Sequence, residues 1–117
     1  MLRKLLLFYV AISFSTNSFA AELEVEFLGA STTELENPHD LKLSVDGKYL
    51  FVSDVGNNRV VLLNPETLEF VSSFGADHQS GTHDIDFDLD GRAYVADTHN
   101  NRIAIYDIRG INAEFVG

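Results

Sequence analysis

Cysteine is absent from the 117 residues of the chain. That excludes a disulfide framework, a thiolate zinc site and a cysteine nucleophile. It also removes the acceptor that a bacterial lipoprotein signal requires. Cationic side chains are scarce, with 8 lysines and arginines against 18 aspartates and glutamates and a net charge of −10. Affinity for nucleic acid comes largely from cations set against phosphates, so this balance argues against nucleic-acid binding and against docking on anionic lipid. Cations and basic ligands are the partners such a field favours. Long apolar runs are lacking too: the longest, Leu5 to Phe14, falls well short of the roughly 20 residues of a bilayer-spanning helix. No nucleophile-elbow motif, phosphate-cradling glycine loop or paired-carboxylate signature stands out.

What is present begins with a targeting pattern. Arg3 and Lys4 precede the apolar run, Ser15 to Ala20 turns small and polar, and Ser18 and Ala20 place small residues at the minus-three and minus-one positions of a cleavage after Ala20. Residues 1–20 therefore read as a signal peptide, leaving no membrane segment after cleavage. Export without cysteine suits a periplasmic or secreted bacterial protein. Removing those residues takes away two cations and no acid, so the remainder is more acidic than the whole chain.

An internal repeat follows. His39-Asp40-Leu41-Lys42-Leu43-Ser44-Val45-Asp46-Gly47 recurs 44 residues on as His83-Asp84-Ile85-Asp86-Phe87-Asp88-Leu89-Asp90-Gly91. Asp54-Val55-Gly56-Asn57-Asn58-Arg59-Val60 recurs 43 residues on as Asp97-Thr98-His99-Asn100-Asn101-Arg102-Ile103, and Phe74-Gly75 is echoed by Phe115-Val116-Gly117. Inside each copy the period is two. Leu41, Leu43 and Val45, like Ile85, Phe87 and Leu89, alternate with polar residues, which predicts a strand with one apolar face. Asp46-Gly47 and Asp90-Gly91 are hairpin turns. Further strands are expected at Tyr49–Ser53, Arg59–Leu63 and Leu68–Phe74, and at Ala93–Ala96, Arg102–Tyr106 and Ile111–Val116, the last pair separated by a turn at Ile108-Arg109-Gly110. Four antiparallel strands in roughly 40–45 residues is the arithmetic of a β-propeller blade. The expected fold is all-β: a signal peptide (1–20), a lead-in segment (21–37) and two four-stranded units (38–75 and 82–117).

Pro38-His39-Asp40-Leu41, Val45-Asp46-Gly47, Phe51-Val52-Ser53-Asp54, Asn57-Asn58-Arg59-Val60 and Phe74-Gly75 resemble the NHL repeat. The second copy resembles it through Tyr94-Val95-Ala96-Asp97-Thr98 and Asn100-Asn101-Arg102-Ile103, with Thr82 where proline usually precedes the histidine. The resemblance implies a propeller, commonly of six blades in this family. Two blades bury only the interface between them, so this chain would be the N-terminal part of a larger propeller or would self-associate through exposed blade faces. Glu26-Phe27-Leu28-Gly29 looks like a repeat ending, as if it supplied a ring-closing strand.

Four groups of residues could carry function. The Asp54…Arg59 and Asp97…Arg102 pairs sit five residues apart across a hairpin, where a guanidinium can meet a carboxylate bidentately. We read them as a structural brace. Asp86 to Asp97 formally resembles a calcium loop, although a strand at Ala93–Ala96 would carry Asp97 away. His39 and His83 occupy one repeat position on the first strand of each unit. Converging imidazoles can bind zinc, copper or iron if a third ligand exists. Resemblance to peptidyl-α-hydroxyglycine amidating lyases, which place zinc-binding histidines in a Pro-His motif at this position, implies a metal-dependent lyase with His39 and His83 as zinc ligands. The alternatives are a non-catalytic scaffold recognising a peptide, glycan or small ligand, and a fragment without function. His78 and His99 lie in polar loops and are expected to face solvent.

Overall fold

A computed structural model describes residues 23–117, so the expected signal peptide lies outside the described residues. Eight strands follow one another: β1 (Pro38–Leu43), β2 (Leu50–Asp54), β3 (Arg59–Leu63), β4 (Phe70–Phe74), β5 (Thr82–Phe87), β6 (Arg92–Asp97), β7 (Arg102–Arg109) and β8 (Asn112–Phe115). They form two four-stranded sheets whose spatial order is the chain order, each strand antiparallel to the next.

The two sheets share one register. Pro38 pairs with Asp54 and Thr82 with Asp97, each followed by a bulge before Leu41 or Ile85. Asp54 faces Arg59 and Asp97 faces Arg102 across the next hairpin. The turn chemistry explains this. Ser44 Oγ donates to Asp46 Oδ1 at 2.8 Å, whereas in the second sheet Asp88 Oδ1 accepts from the amides of Asp90 and Arg92 at 3.0 and 2.9 Å. Each of these loops then turns through a glycine with positive φ, Gly47 at 72° and Gly91 at 88°, a conformation that costs glycine nothing. The Asn-Asn hairpins contain short 3-10 turns, Val55–Asn57 and Thr98–Asn100, each closed by a left-handed asparagine at φ 53°, Asn58 and Asn101.

The core lies between the sheets. Phe51, Val60 and Leu62 of the first meet Ile85, Ala93, Val95, Ala104 and Tyr106 of the second. Phe51 contacts Phe87 edge-on with ring centroids 4.8 Å apart, and Phe74 meets Tyr106 at 4.7 Å. Truncating Phe51, which is fully buried, would cost about 3–5 kcal/mol. The opposite face of the first sheet gathers Val52, Val61 and Leu63 with Leu35 of the lead-in.

Two expectations need correction, at the end of β7 and at Glu26–Gly29. Strand β7 continues through Ile108 and Arg109, because Ile108 pairs with Ala113, and the chain turns only around Gly110. The apolar faces of the two first strands differ in cover: Leu41, Leu43 and Val45 are 61, 52 and 69% exposed while Ile85 at the equivalent place is 2% exposed. The sheet that covers Ile85 has no counterpart over Leu41 among the described residues. Glu26–Gly29 does not pair with either sheet: residues 23–36 contain no strand, and Phe27 and Leu28 are exposed.

Candidate functional site

Each Asn-Asn hairpin carries a buried carboxylate. Asp54 and Asp97 are both 0% exposed. Asp97 Oδ1 accepts from the Ser80 amide at 2.6 Å, and Asp97 Oδ2 accepts from Asn100 Nδ2 at 2.9 Å and Arg102 Nε at 2.7 Å. Asp54 repeats this with the Glu36 amide (2.6 Å), Asn57 Nδ2 (2.9 Å) and Arg59 Nε (2.8 Å). Burial pushes the Asp97 carboxyl up, but the Ser80 amide, Asn100 and Arg102 outweigh it and hold the group below its ordinary range. The guanidinium does not grip the carboxylate bidentately, as the spacing suggested. Its Nη2 donates instead to a carbonyl of the segment entering the sheet, Glu34 for Arg59 (3.1 Å) and His78 for Arg102 (2.7 Å). This constellation holds a hairpin to its lead-in, and every carboxylate oxygen in it accepts at least one hydrogen bond.

The first strands of the two sheets lie side by side and bring equivalent residues together. The rings of His39 and His83 are 3.7 Å apart, centroid to centroid, and tilted by 46°. Asp40 and Asp84 hold the next equivalent places, and Asp40 Oδ2 accepts from the Ile85 amide of the neighbouring strand at 3.4 Å. Lys42 Nζ stands 3.2 Å from Asp86 Oδ1. Three like-position pairs thus line one seam. The hydrogen bond from Asp84 is the foremost influence holding the Asp40 carboxyl below its ordinary range. The same bond, with burial and the Asp40 charge, raises Asp84 above it. Two neighbouring carboxyls resist ionising together, since both ionising would set like charges side by side.

Beside this seam runs an open groove of about 370 Å³, with Asp40, Lys42, Asp84 and Asp86 on its polar side and Tyr94 and Ile103 among its apolar lining. Its composition suits a ligand with one charged end and an apolar body.

The other sequence candidates fall apart spatially. Asp86 pairs with Lys42, Asp88 accepts from the Arg92 amide and the Tyr94 hydroxyl, and Asp97 is enclosed in its brace. These carboxylates therefore do not wrap a common point as a calcium loop does. His78 is exposed and stacks on Phe115 with centroids 4.7 Å apart; His99 is exposed with Nδ1 3.5 Å from Ser80 Oγ. One buried polar link had no sequence signal. Gln79 donates through Nε2 to the Tyr106 hydroxyl at 2.9 Å and accepts from Thr82 Oγ1 at 2.5 Å. Its equivalent in the first sheet is Leu35, so the repeat itself points away from a glutamine network there.

His39 and His83 supply two imidazoles, whereas a bound zinc needs three protein donors or more. Among the described residues no group of three or more His, Cys, Asp or Glu could hold a metal ion. The described residues do not fit a complete zinc site. Among them, no helix is long and apolar enough to cross a membrane. No protein-family model matches the chain, and no curated protein matches it.

Proposed function

We propose that this is an exported propeller protein of the NHL type, its two sheets being successive blades, and that it acts as a binding module for a cationic ligand seated in the groove beside the β1–β5 seam. The blade reading is supported by the chain-ordered antiparallel strands, the shared register and the recurrence of the Asp–Arg brace at one place in both sheets. The single observation that carries the ligand reading is the groove itself: three carboxylates, Asp40, Asp84 and Asp86, face one lysine, Lys42, beside an apolar wall. A basic peptide, or a small amine with an apolar body, satisfies both sides. The chain's net charge of −10 draws such ligands from solution.

The test is titration of the purified chain with a fluorescent peptide of alternating lysine and leucine, and with its glutamate counterpart. Binding of the basic peptide should weaken about tenfold in an Asp84→Asn, Asp86→Asn variant, a loss of about 1.4 kcal/mol. Equal binding of the acidic peptide would refute the reading. The meeting of the His39 and His83 rings favours a second reading, a metal-dependent lyase-type propeller. That reading requires a third donor and catalytic groups from outside the described residues. Stoichiometric zinc that is lost on His83→Ala would move the conclusion toward it.

A further inference from the structure

The two Asp-Gly turns hold equivalent places in the repeat, yet their aspartates are held very differently. Asp46 Oδ1 accepts from Ser44 Oγ at 2.8 Å and from the Lys48 amide at 3.1 Å, and Lys48 Nζ stands 3.7 Å from Oδ2. The bond from Ser44, then that from the Lys48 amide, keeps the Asp46 carboxyl below its ordinary range. The Gly47 amide is held as well, donating to the Ser44 carbonyl at 2.9 Å. In the second turn Asp88 takes the place of Ser44, and Lys48 has no counterpart because that turn is one residue shorter. An ionised Asp88 has no proton to donate. Its Oδ1 already accepts from the amides of Asp90 and Arg92, and its Oδ2 from the Tyr94 hydroxyl. Among the described residues nothing donates to the Asp90 carboxyl, which is exposed. The Gly91 amide reaches the Asp88 carbonyl only at 3.4 Å, and glycine has no Cβ to keep a neighbouring side chain from its nitrogen.

We propose that Asp90-Gly91 is a site of spontaneous isoaspartate formation, with water as its only co-reactant, and that the fold protects its twin Asp46-Gly47. The Gly91 nitrogen attacks Asp90 Cγ and gives up its proton. The new C–N bond closes a five-membered succinimide, and the carboxyl hydroxyl leaves with that proton as water. A second water then opens the ring. Attack at the original main-chain carbonyl breaks its bond to the Gly91 nitrogen, so the chain now runs through the former side chain. Attack at the other carbonyl restores aspartate, and the composition is unchanged either way. Isoaspartate lengthens the main chain by one methylene in the turn that Asp88 Oδ1 spans. Asp88 also holds Tyr94, which lines the groove beside the β1–β5 seam. Conversion of one exposed turn thus loosens a wall of that groove, and the chemistry at Asp90 stands whatever the groove binds.

The test is to age the purified full chain in weakly acidic buffer at body temperature, cut it with trypsin and map residues 43–48 and 60–92. An endoprotease that cuts before aspartate and spares isoaspartate then reports conversion at each turn. In the folded chain Asp90 should convert about tenfold faster than Asp46, about 1.4 kcal/mol of barrier, which one or two hydrogen bonds supply. In urea the two turns should convert at similar rates, since both are Asp-Gly. Ser44→Ala should speed conversion at Asp46. Asp90→Glu, whose ring would need six members, should stay unmodified and keep its melting temperature on ageing, while that of the converted wild-type chain falls. Equal rates in the folded chain overturn the proposal. So does a bias that persists in urea, which would put its cause in the sequence rather than the fold. A melting temperature unmoved in the converted wild-type chain overturns the loosening of the groove wall.

Discussion

Arg102 bonds Asp97 through Nε at 2.7 Å and gives its Nη2 to the His78 carbonyl, also at 2.7 Å. One guanidinium thereby ties a hairpin to the segment that enters its sheet. Replacing Arg102 with alanine leaves the buried Asp97 carboxylate with only Ser80 and Asn100. The expected loss is about 1–3 kcal/mol of unfolding free energy in a urea titration. Arg102→Lys should recover only part of it, because a single ammonium cannot serve both acceptors in the arginine fork geometry.

Among the described residues, Gln79 is the only link from the Tyr106 hydroxyl to another side chain, and it also accepts from Thr82. Gln79→Leu strands both hydroxyls in a buried place and should cost about 1–3 kcal/mol. Adding Tyr106→Phe removes one stranded group, as in the first sheet, where Leu35 and Leu63 hold these positions. The double variant should be more stable than Gln79→Leu alone. Thermal melting of the four-member cycle measures the coupling, and strict additivity would contradict the bond.

Asn58 and Asn101 share a left-handed backbone at φ 53°, but only Asn58 receives the Gly81 amide. Glycine accepts that backbone freely. Asn101→Gly should therefore leave the melting temperature within about 2 °C in the monomer, whereas Asn58→Gly should lower it by about 4–8 °C, the equivalent of about one hydrogen bond in a domain of this size.

The Asp40–Asp84 contact predicts a pH dependence with a definite sign. Asp84 is raised in the folded chain, so its contribution is complete below its unfolded value and is lost as pH rises through the raised one. Asp40 is depressed, so its contribution is present above its unfolded value and is lost as pH falls through the depressed one. The pair therefore stabilises the seam most in the weakly acidic window between them. Asp84→Asn keeps a donor toward Asp40 at every pH. Urea midpoints measured from about pH 3 to 7 should show the upper loss vanish in that variant. Wild-type and Asp84→Asn curves that run parallel through this window would contradict the coupling of the pair.

The residues differed in how plainly they announced their places. Asp97 and Arg102 were legible as a pair because five residues across a tight hairpin leave them little choice of partner. The second arm of the guanidinium was not legible, since its acceptor is a backbone carbonyl 24 residues away that any side chain could accompany. Gln79 gave no signal because a lone glutamine in a polar loop looks like solvent-facing sequence until Tyr106 closes over it. His39 and His83 were placed on equivalent strands by the repeat, but their 3.7 Å approach depends on how the sheets pack.

By itself, then, the sequence determined the local matters: all-β character, strand alternation, glycine and asparagine turns, and the doubling of one unit. These follow from side-chain period and backbone sterics, which act over a few residues. Only the tertiary structure decided which face of each strand is covered. Alternation marks an apolar face on β1 and on β5 alike, yet Ile85 is 2% exposed and Leu41 61%. Burial requires a second surface, and where that surface comes from is a property of packing, not of the strand.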